Sequence, residues 1–412
     1  MKILQINKYH YHRGGADNYF FDVTDLLREH GHDVVSFSMR DERNLPSDQS
    51  SFFIDGVDFR RPASLWKKIQ LFPRFFWSPE ASRKLTAMIQ QEKPDLAHIH
   101  NFSHHLTSSI LFTLRRHHIP IVVTLHDYKL ICPTSFLYDG KLPSEHCKRH
   151  RYYQCVWHRC IQGSFIGSMI MALESTFNWF LGTYQRTIDV AIAPSLFLRQ
   201  KFFDFGSRLS IVHVSNFIPL ASLPQPLDEH NATQETILFV GRLSREKGVS
   251  TLLEVARLLP ERRFEVIGDG QEREWLQEHA TSNVFFRGSL SRKETWEAIR
   301  QARCLVVPSE WYENAPLVIM EAMALGTVVV ASRIGGIPEL IEDGVSGVLF
   351  EPANAHDLAE KIQHVFSDTH WRTSLEHAAG EKAQKHYNSE NHYTALMEVY
   401  AVAMKQKDSS LR

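Results

Sequence analysis

The chain has 412 residues, 43% of them hydrophobic and 23% charged, with a net charge of −1 and five cysteines. A length of this order fills two α/β domains better than one core. The near-neutral balance supplies no field for nucleic acid, no run approaches the roughly 18 apolar residues of a membrane span, and so few cysteines do not make a disulfide scaffold.

The first element is a strand at 2–6 (KILQI), followed by a polar glycine turn and not by an apolar leader with a cleavage site; the expected location is the cytoplasm. Gly14 and Gly15 then open a helix over 16–29, where a glycine turn lets backbone N–H groups approach a phosphate. Further strands are predicted at 33–38, 95–99, 120–125 and 188–193, with a helix over 104–118. Residues 163–181 are apolar, but Glu174 and Asn178 make them a packed helix and not an anchor. Near 217–234, Pro219, Pro224 and Pro226 among polar residues mark a linker. A second set of strands follows at 236–240, 263–267, 284–287, 304–307, 327–331 and 347–350. Its helices fall at 248–259, 271–280, 291–302, 316–325 and 354–366, and an amphipathic helix spans 390–404. Alternation of strand and helix predicts two doubly wound, Rossmann-like α/β domains, residues 1–217 and 218–384, with 385–412 crossing back onto the first. Residues 1–217 hold 26 basic against 19 acidic side chains, and residues 218–412 hold 20 against 28. The basic half suits an anionic partner such as a phosphate-bearing substrate or a lipid surface.

Three segments carry chemistry. VGRLSREKG at 240–248 sets Arg242 and Lys247 in the loop after a strand, where open α/β sheets bind ligands, and two cations there suit a diphosphate. Arg245 and Glu246 read as ordinary solvated charges of that loop. In ENAP at 313–316, Glu313 precedes a helix whose first N–H groups, on Leu317 and Val318, face an anion. Glu321 follows inside that apolar helix and needs a hydrogen-bonding partner if buried, such as a sugar hydroxyl.

VGRLSREKG, IGDG (267–270), the run 308–332, GGIPELI (335–341) and GVSGVLF (344–350) together resemble retaining glycosyltransferase family 4, of GT-B fold. RGGADNYF (13–20), HIHNF (98–102), HDY (126–128) and APS (193–195) extend the resemblance more sparsely into the first half. The resemblance implies two domains facing across a cleft and a nucleotide-sugar donor as cosubstrate, with no catalytic metal or other cofactor. Gly14, Gly15 and Gly268 would line the donor, with the Gly15 N–H on the diphosphate. Arg242 and Lys247 would stabilise the leaving group, Glu313 and His126 would face the sugar, and Glu321 the ribose. The acceptor would be a glycan or a lipid-linked molecule, in cell-surface polysaccharide or glycolipid synthesis. A non-catalytic partner of the same fold, or an epimerase or phosphorylase, is the alternative. The sequence contains no D-x-D triplet of the kind that bridges a diphosphate through a metal.

Two further features lie in the first half. Cys132, Cys147, Cys155 and Cys160 cluster with His146, His150 and His158, but without a C-x2-C knuckle they read as free thiols ahead of a metal site. Trp66, Phe72, Phe75, Phe76 and Trp77 mix with Lys67, Lys68 and Arg74, a pattern suited to peripheral contact with an anionic membrane. His98, His100, His104 and His105 read as loop and sheet-end residues.

Overall fold

Among the described residues the named strands pair with their neighbours in parallel. The computed structural model describes residues 1–56, 75–140, 142–226 and 235–410. In the first half the strands are β1 (Lys2–Ile6), β2 (Asp33–Phe37), β3 (Met39–Arg40), β4 (Ile54–Asp55), β5 (Leu96–Ile99), β6 (Ile121–Thr124), β7 (Val190–Ala193) and β8 (Ile211–His213). Those of the second half are β9 (Thr236–Val240), β10 (Arg263–Ile267), β11 (Val284–Gly288), β12 (Cys304–Val307), β13 (Val328–Ser332) and β14 (Val348–Phe350). Two six-stranded parallel sheets result, ordered β2-β1-β5-β6-β7-β8 and β11-β10-β9-β12-β13-β14, with β3 and β4 as a separate pair. Strand order reverses between β1 and β5 in one sheet and between β9 and β12 in the other. Ligand crevices open beyond the carboxyl ends of strands at such reversals.

The central strands are buried on both faces, as parallel strands sandwiched between helices must be, while the edge strands β8 and β11 expose Val212 and Phe285. Helix boundaries agree with the sequence to within a residue or two where apolar periodicity is strong, as for Val249–Leu258 and Arg292–Gln301. The helix expected over 104–118 is shorter, Ser109–Arg116. His104 and Thr107 adopt positive φ (72° and 59°), which a right-handed helix does not admit. Helices Pro79–Glu92, Leu196–Asp204 and Thr369–His386, and strand β8, are additions to the sequence reading.

Helix Phe165–Phe180 forms as expected and packs by the face that carries Glu174 and Asn178. Ser168, Ala172, Glu174, Ser175 and Asn178 are buried, and its large apolar residues face solvent. Glu174 anchors this orientation: it receives Lys129 Nζ at 2.7 Å and Asn178 Nδ2 at 2.9 Å, while Ser168 Oγ accepts the Ile161 N–H at 3.0 Å. A carboxylate and an ammonium buried this deeply are tolerable only as a pair, so rotating the helix would strand Lys129. Of the aromatic and basic segment, Trp66, Lys67, Lys68, Phe72 and Arg74 lie outside the described residues, and Phe76 packs its ring 6.1 Å from that of Phe177.

The last helix, Ser389–Ser410, lies on the first sheet. Tyr400 meets His98 of β5 at 2.8 Å, and His392 meets Tyr19 at 3.1 Å. All five cysteines are free thiols. Among the described residues no group of three or more His, Cys, Asp or Glu is placed to hold a metal ion.

Candidate active site

The carboxyl ends of β9 and β12 bring Lys247 and Glu313 together. Lys247 Nζ lies 2.6 Å from Glu313 Oε1 and 5.1 Å from the centroid of the Trp311 ring. Ser309 Oγ donates to the same carboxylate oxygen at 2.6 Å. Burial pushes Glu313 up, but the Lys247 ammonium and the Ser309 hydroxyl outweigh it and hold the carboxyl below its usual range. Arg242 stands at the rim, its guanidinium 2.8 Å from Glu246 and 5.6 Å from the Phe136 ring of the first half. Glu246 is therefore the side chain that orients Arg242, and the reading of it as an ordinary solvated charge is corrected.

Two glycines make this loop possible. Gly248 has φ 66°, and a Cβ there would fall 1.7 Å from the Pro308 carbonyl oxygen, so only glycine lets the 241–248 loop press on the end of β12. Gly268, at φ 135°, would place a Cβ 1.9 Å from the Gly241 carbonyl oxygen, next to Arg242. Gly268→Ala is expected to destabilise the protein by about 2–4 kcal/mol. Urea unfolding checks this, and a loss under about 1 kcal/mol would mean that the loop can shift.

Pro316 serves as N-cap of helix Leu317–Ala324, which starts one residue later than the sequence suggested, and the N–H groups of Leu317 and Val318 open that helix. From the first half, Gly14 is the N-cap of helix Gly15–Glu29. A Cβ at Gly15 would lie 3.9 Å from Leu317 Cδ1, so two helix N-termini meet across the cleft. His126 follows β6, and Asn314 Nδ2 donates to the adjacent Leu125 carbonyl at 2.9 Å. That bond fixes the loop bearing Glu313 against the loop bearing His126. Ser195 Oγ to Asn314 Oδ1 (2.8 Å), and Glu339 accepting the Leu196 and Phe197 N–H groups (2.8 and 2.6 Å), hold the halves together alongside it.

Glu321 is buried, which raises its pKa, but it is not unpartnered. Arg292 Nη2 reaches it at 3.3 Å, and the same guanidinium forms a bidentate pair with Asp22 of the first half at 2.6 and 2.8 Å. Glu321, expected to meet the ribose, is thus tied to a cross-cleft clamp. A double-mutant cycle of Asp22→Asn and Arg292→Met is expected to give a coupling of about 1–3 kcal/mol in unfolding free energy, since both side chains are largely buried. Additive losses would show that the clamp contributes nothing.

Behind His126 runs a chain of neutral imidazoles. His126 Nε2 lies 3.0 Å from His100 Nδ1, and His100 Nε2 lies 2.8 Å from Gln5 Oε1. Gln5 Nε2 faces His98 Nδ1 at 3.4 Å, and His98 Nε2 meets Thr124 Oγ1 at 2.7 Å. Burial lowers His98 and His126 to about 3 and keeps His100 well below its usual range. A neutral imidazole has one donor and one acceptor nitrogen, so the Gln5 carbonyl oxygen fixes the direction of the chain. His100 donates to Gln5 and accepts from His126 Nε2–H, which leaves His126 Nδ1 as an acceptor. His104, by contrast, stays in its loop, its ring 4.8 Å from that of Phe75.

A profile described as "Glycosyltransferase Family 4" matches residues 13–222, and one described as "Glycosyl transferases group 1" matches residues 227–386. The chain belongs to glycosyltransferase family 4. Within this family of glycosyltransferases it is similar to the sulfoquinovosyl transferase of Arabidopsis thaliana, 36% identical over 154 residues, which cover 36% of this chain and 30% of the plant protein. An uncharacterized glycosyltransferase of Methanocaldococcus jannaschii is 26% identical over 95% of both chains. Among solved structures, sucrose-phosphate synthase from Thermosynechococcus elongatus superposes with a TM-score of 0.73 at 20% identity, over 97% of this chain and 98% of that one. The Anabaena protein HepE in complex with UDP-glucose gives 0.69 at 17% identity, over 97% and 99%. The fold of this family 4 glycosyltransferase is accordingly GT-B, with two Rossmann-like halves.

Site residues absent from the sequence reading are Gln5, Asp22, Arg292, Ser309 and Trp311. Ser309 and Trp311 stand within the 308–332 run that carried the resemblance, so proximity to Glu313 could have flagged them. Asp22 and Arg292 are 270 positions apart, and no local pattern links them.

Proposed function

We propose that this glycosyltransferase moves a sugar from a nucleoside-diphosphate donor to a glycan or lipid-linked acceptor, with retention at the anomeric carbon. The observation that carries the reading is the half-buried Lys247 paired with buried Glu313 beside helix N-terminus Leu317–Val318, facing His126 and Gly15 across the cleft. A cation and two helix N-termini converge where a diphosphate would sit, and a carboxylate and an imidazole acceptor where its sugar would sit.

The bond from the anomeric carbon to the diphosphate oxygen breaks, and its electron pair stays on that oxygen. Lys247, Arg242 and the helix N–H groups oppose the charge that builds there. The acceptor hydroxyl oxygen bonds to the anomeric carbon on the vacated face, and its proton passes to the departing phosphate oxygen. Glu313 and His126 Nδ1 accept sugar hydroxyls, and Glu321 takes the ribose once Arg292 yields it. HepE was solved with UDP-glucose, so uridine donors head the test panel.

A thermal-shift series over uridine, guanosine, adenosine and thymidine diphosphate sugars tests the reading, because a ligand that binds only the native state raises the melting temperature by mass action. One donor is expected to stabilise the protein and to be slowly hydrolysed by it. No shift with any donor would overturn the proposal.

A further inference from the structure

The outward face of helix Phe165–Phe180 is apolar along its whole length. Phe165, Ile166, Met169, Leu173, Phe177 and Phe180 are 38–79% exposed. At about 100° per residue these six fall within a sector of about 120°. Thr176, the hydroxyl in the same sector, returns its bond to the Ala172 carbonyl at 2.7 Å and leaves the stripe without an open polar group. This is not a misplaced core face: the buried Glu174–Lys129 pair fixes the rotation of the helix with its polar side inward. A stripe this large, held outward by a buried ion pair, marks a surface with a partner.

Charge and residue type around the stripe identify the partner. His150 stacks on Trp179 with ring centroids 5.0 Å apart, which sets the basic turn at 148–151 against the end of the helix. Arg149, Arg151 and Arg159 are exposed and, among the described residues, make no ion pair. From 146 to 188 the sequence has five basic residues and one acid, Glu174, which Lys129 already neutralises. Trp157 and Tyr153 beside them are 84% and 62% exposed, and such amphipathic rings favour the headgroup level of a bilayer. A protein partner would need acidic pairing for the arginines and cover for the stripe together, whereas an anionic bilayer supplies both at once. Among the described residues no helix is long and apolar enough to cross a membrane, so the helix lies on the surface.

We infer that helix Phe165–Phe180 docks this protein onto an anionic lipid surface, the apolar stripe entering the interface and Arg149, Arg151 and Arg159 meeting the headgroups. The surface rests on exposure and charge alone, so its failure would leave the transfer reading standing. It would also hold the cleft near any acceptor anchored in that bilayer.

Flotation of the full chain with phosphatidylcholine–phosphatidylglycerol vesicles is the test, with phosphatidylcholine vesicles as the comparison. The wild type is expected to co-float with the anionic vesicles only. Leu173→Asp with Phe177→Asp is expected to cut the floated fraction at least about tenfold, and Arg149→Glu with Arg159→Glu to cut it similarly, both at unchanged melting temperature. A wild type that stays at the bottom, or an aspartate variant that floats as well as the wild type, would overturn the inference. Equal flotation on neutral vesicles would overturn its anionic part. A wild-type dimer that the aspartate variant splits, without flotation of either, would assign the face to a second copy and overturn it outright.

Discussion

Lys247→Ala is expected to lower kcat by two to three orders of magnitude, about 2.7–4 kcal/mol of barrier, as removal of one preorganised partner of a developing oxyanion does elsewhere. Two losses combine in this variant. The cation facing the leaving diphosphate disappears, and Glu313 remains buried with Ser309 as its remaining close donor. Without the ammonium that holds it low, burial raises the Glu313 pKa, so the variant's residual activity should acquire a new acid limb. Stability should fall too, because a buried carboxylate left without its cationic partner is costly. Lys247→Arg is not expected to rescue, since a planar fork does not reproduce a point charge under Trp311. Steady-state kinetics over pH 5–9 with the donor found by thermal shift would check this. Activity within threefold of wild type would remove Lys247 from the chemistry.

The second large effect is loss of stability in mild acid. Burial depresses His98 and His126 to about 3, His10 and His392 to about 4, and His100 and His104 well below 6.5. Below pH 6.5 the unfolded chain binds protons at these six positions that the native state refuses, so stability falls as pH falls and is recovered as pH rises. Asp17 and Asp127, raised to about 6, and Glu321, also raised, act in the opposite direction below pH 6. The depressed imidazoles outnumber the raised carboxyls, so the net effect is a loss of stability as pH falls from about 6.5 towards 5. Melting temperatures measured from pH 7.5 to 5 should drop steeply, and His392→Gln should flatten the slope by about one proton. A flat profile would mean that the imidazoles are hydrated in the native state.

Both effects trace to contacts of very different legibility. The strands of the second half were readable because runs such as CLVV and VVVAS have one sensible pairing, a parallel strand buried on both faces. Arg242, Lys247, Glu313 and Glu321 were readable because strand ends and helix starts fix where their loops must lie. Helix Thr369–His386 was not, since its apolar residues are sparse and scattered. Helix Phe165–Phe180 was readable as a packed helix, but not which face packs, because local apolarity says nothing about which face a distant lysine will claim. Asp22–Arg292 and the Gln5–His100–His126 chain depend on tertiary approach alone, where each residue in isolation reads as ordinary.

The contact between Tyr400 and His98 closes a loop of 302 residues. At a synthesis rate of about 5–20 residues per second, Tyr400 is made roughly 15–60 s after His98, and roughly 9–37 s after β8 completes the first sheet. A chain that stops before Tyr400 is therefore expected to leave His98 Nδ1 without its hydroxyl partner and the first sheet without the helix that covers it.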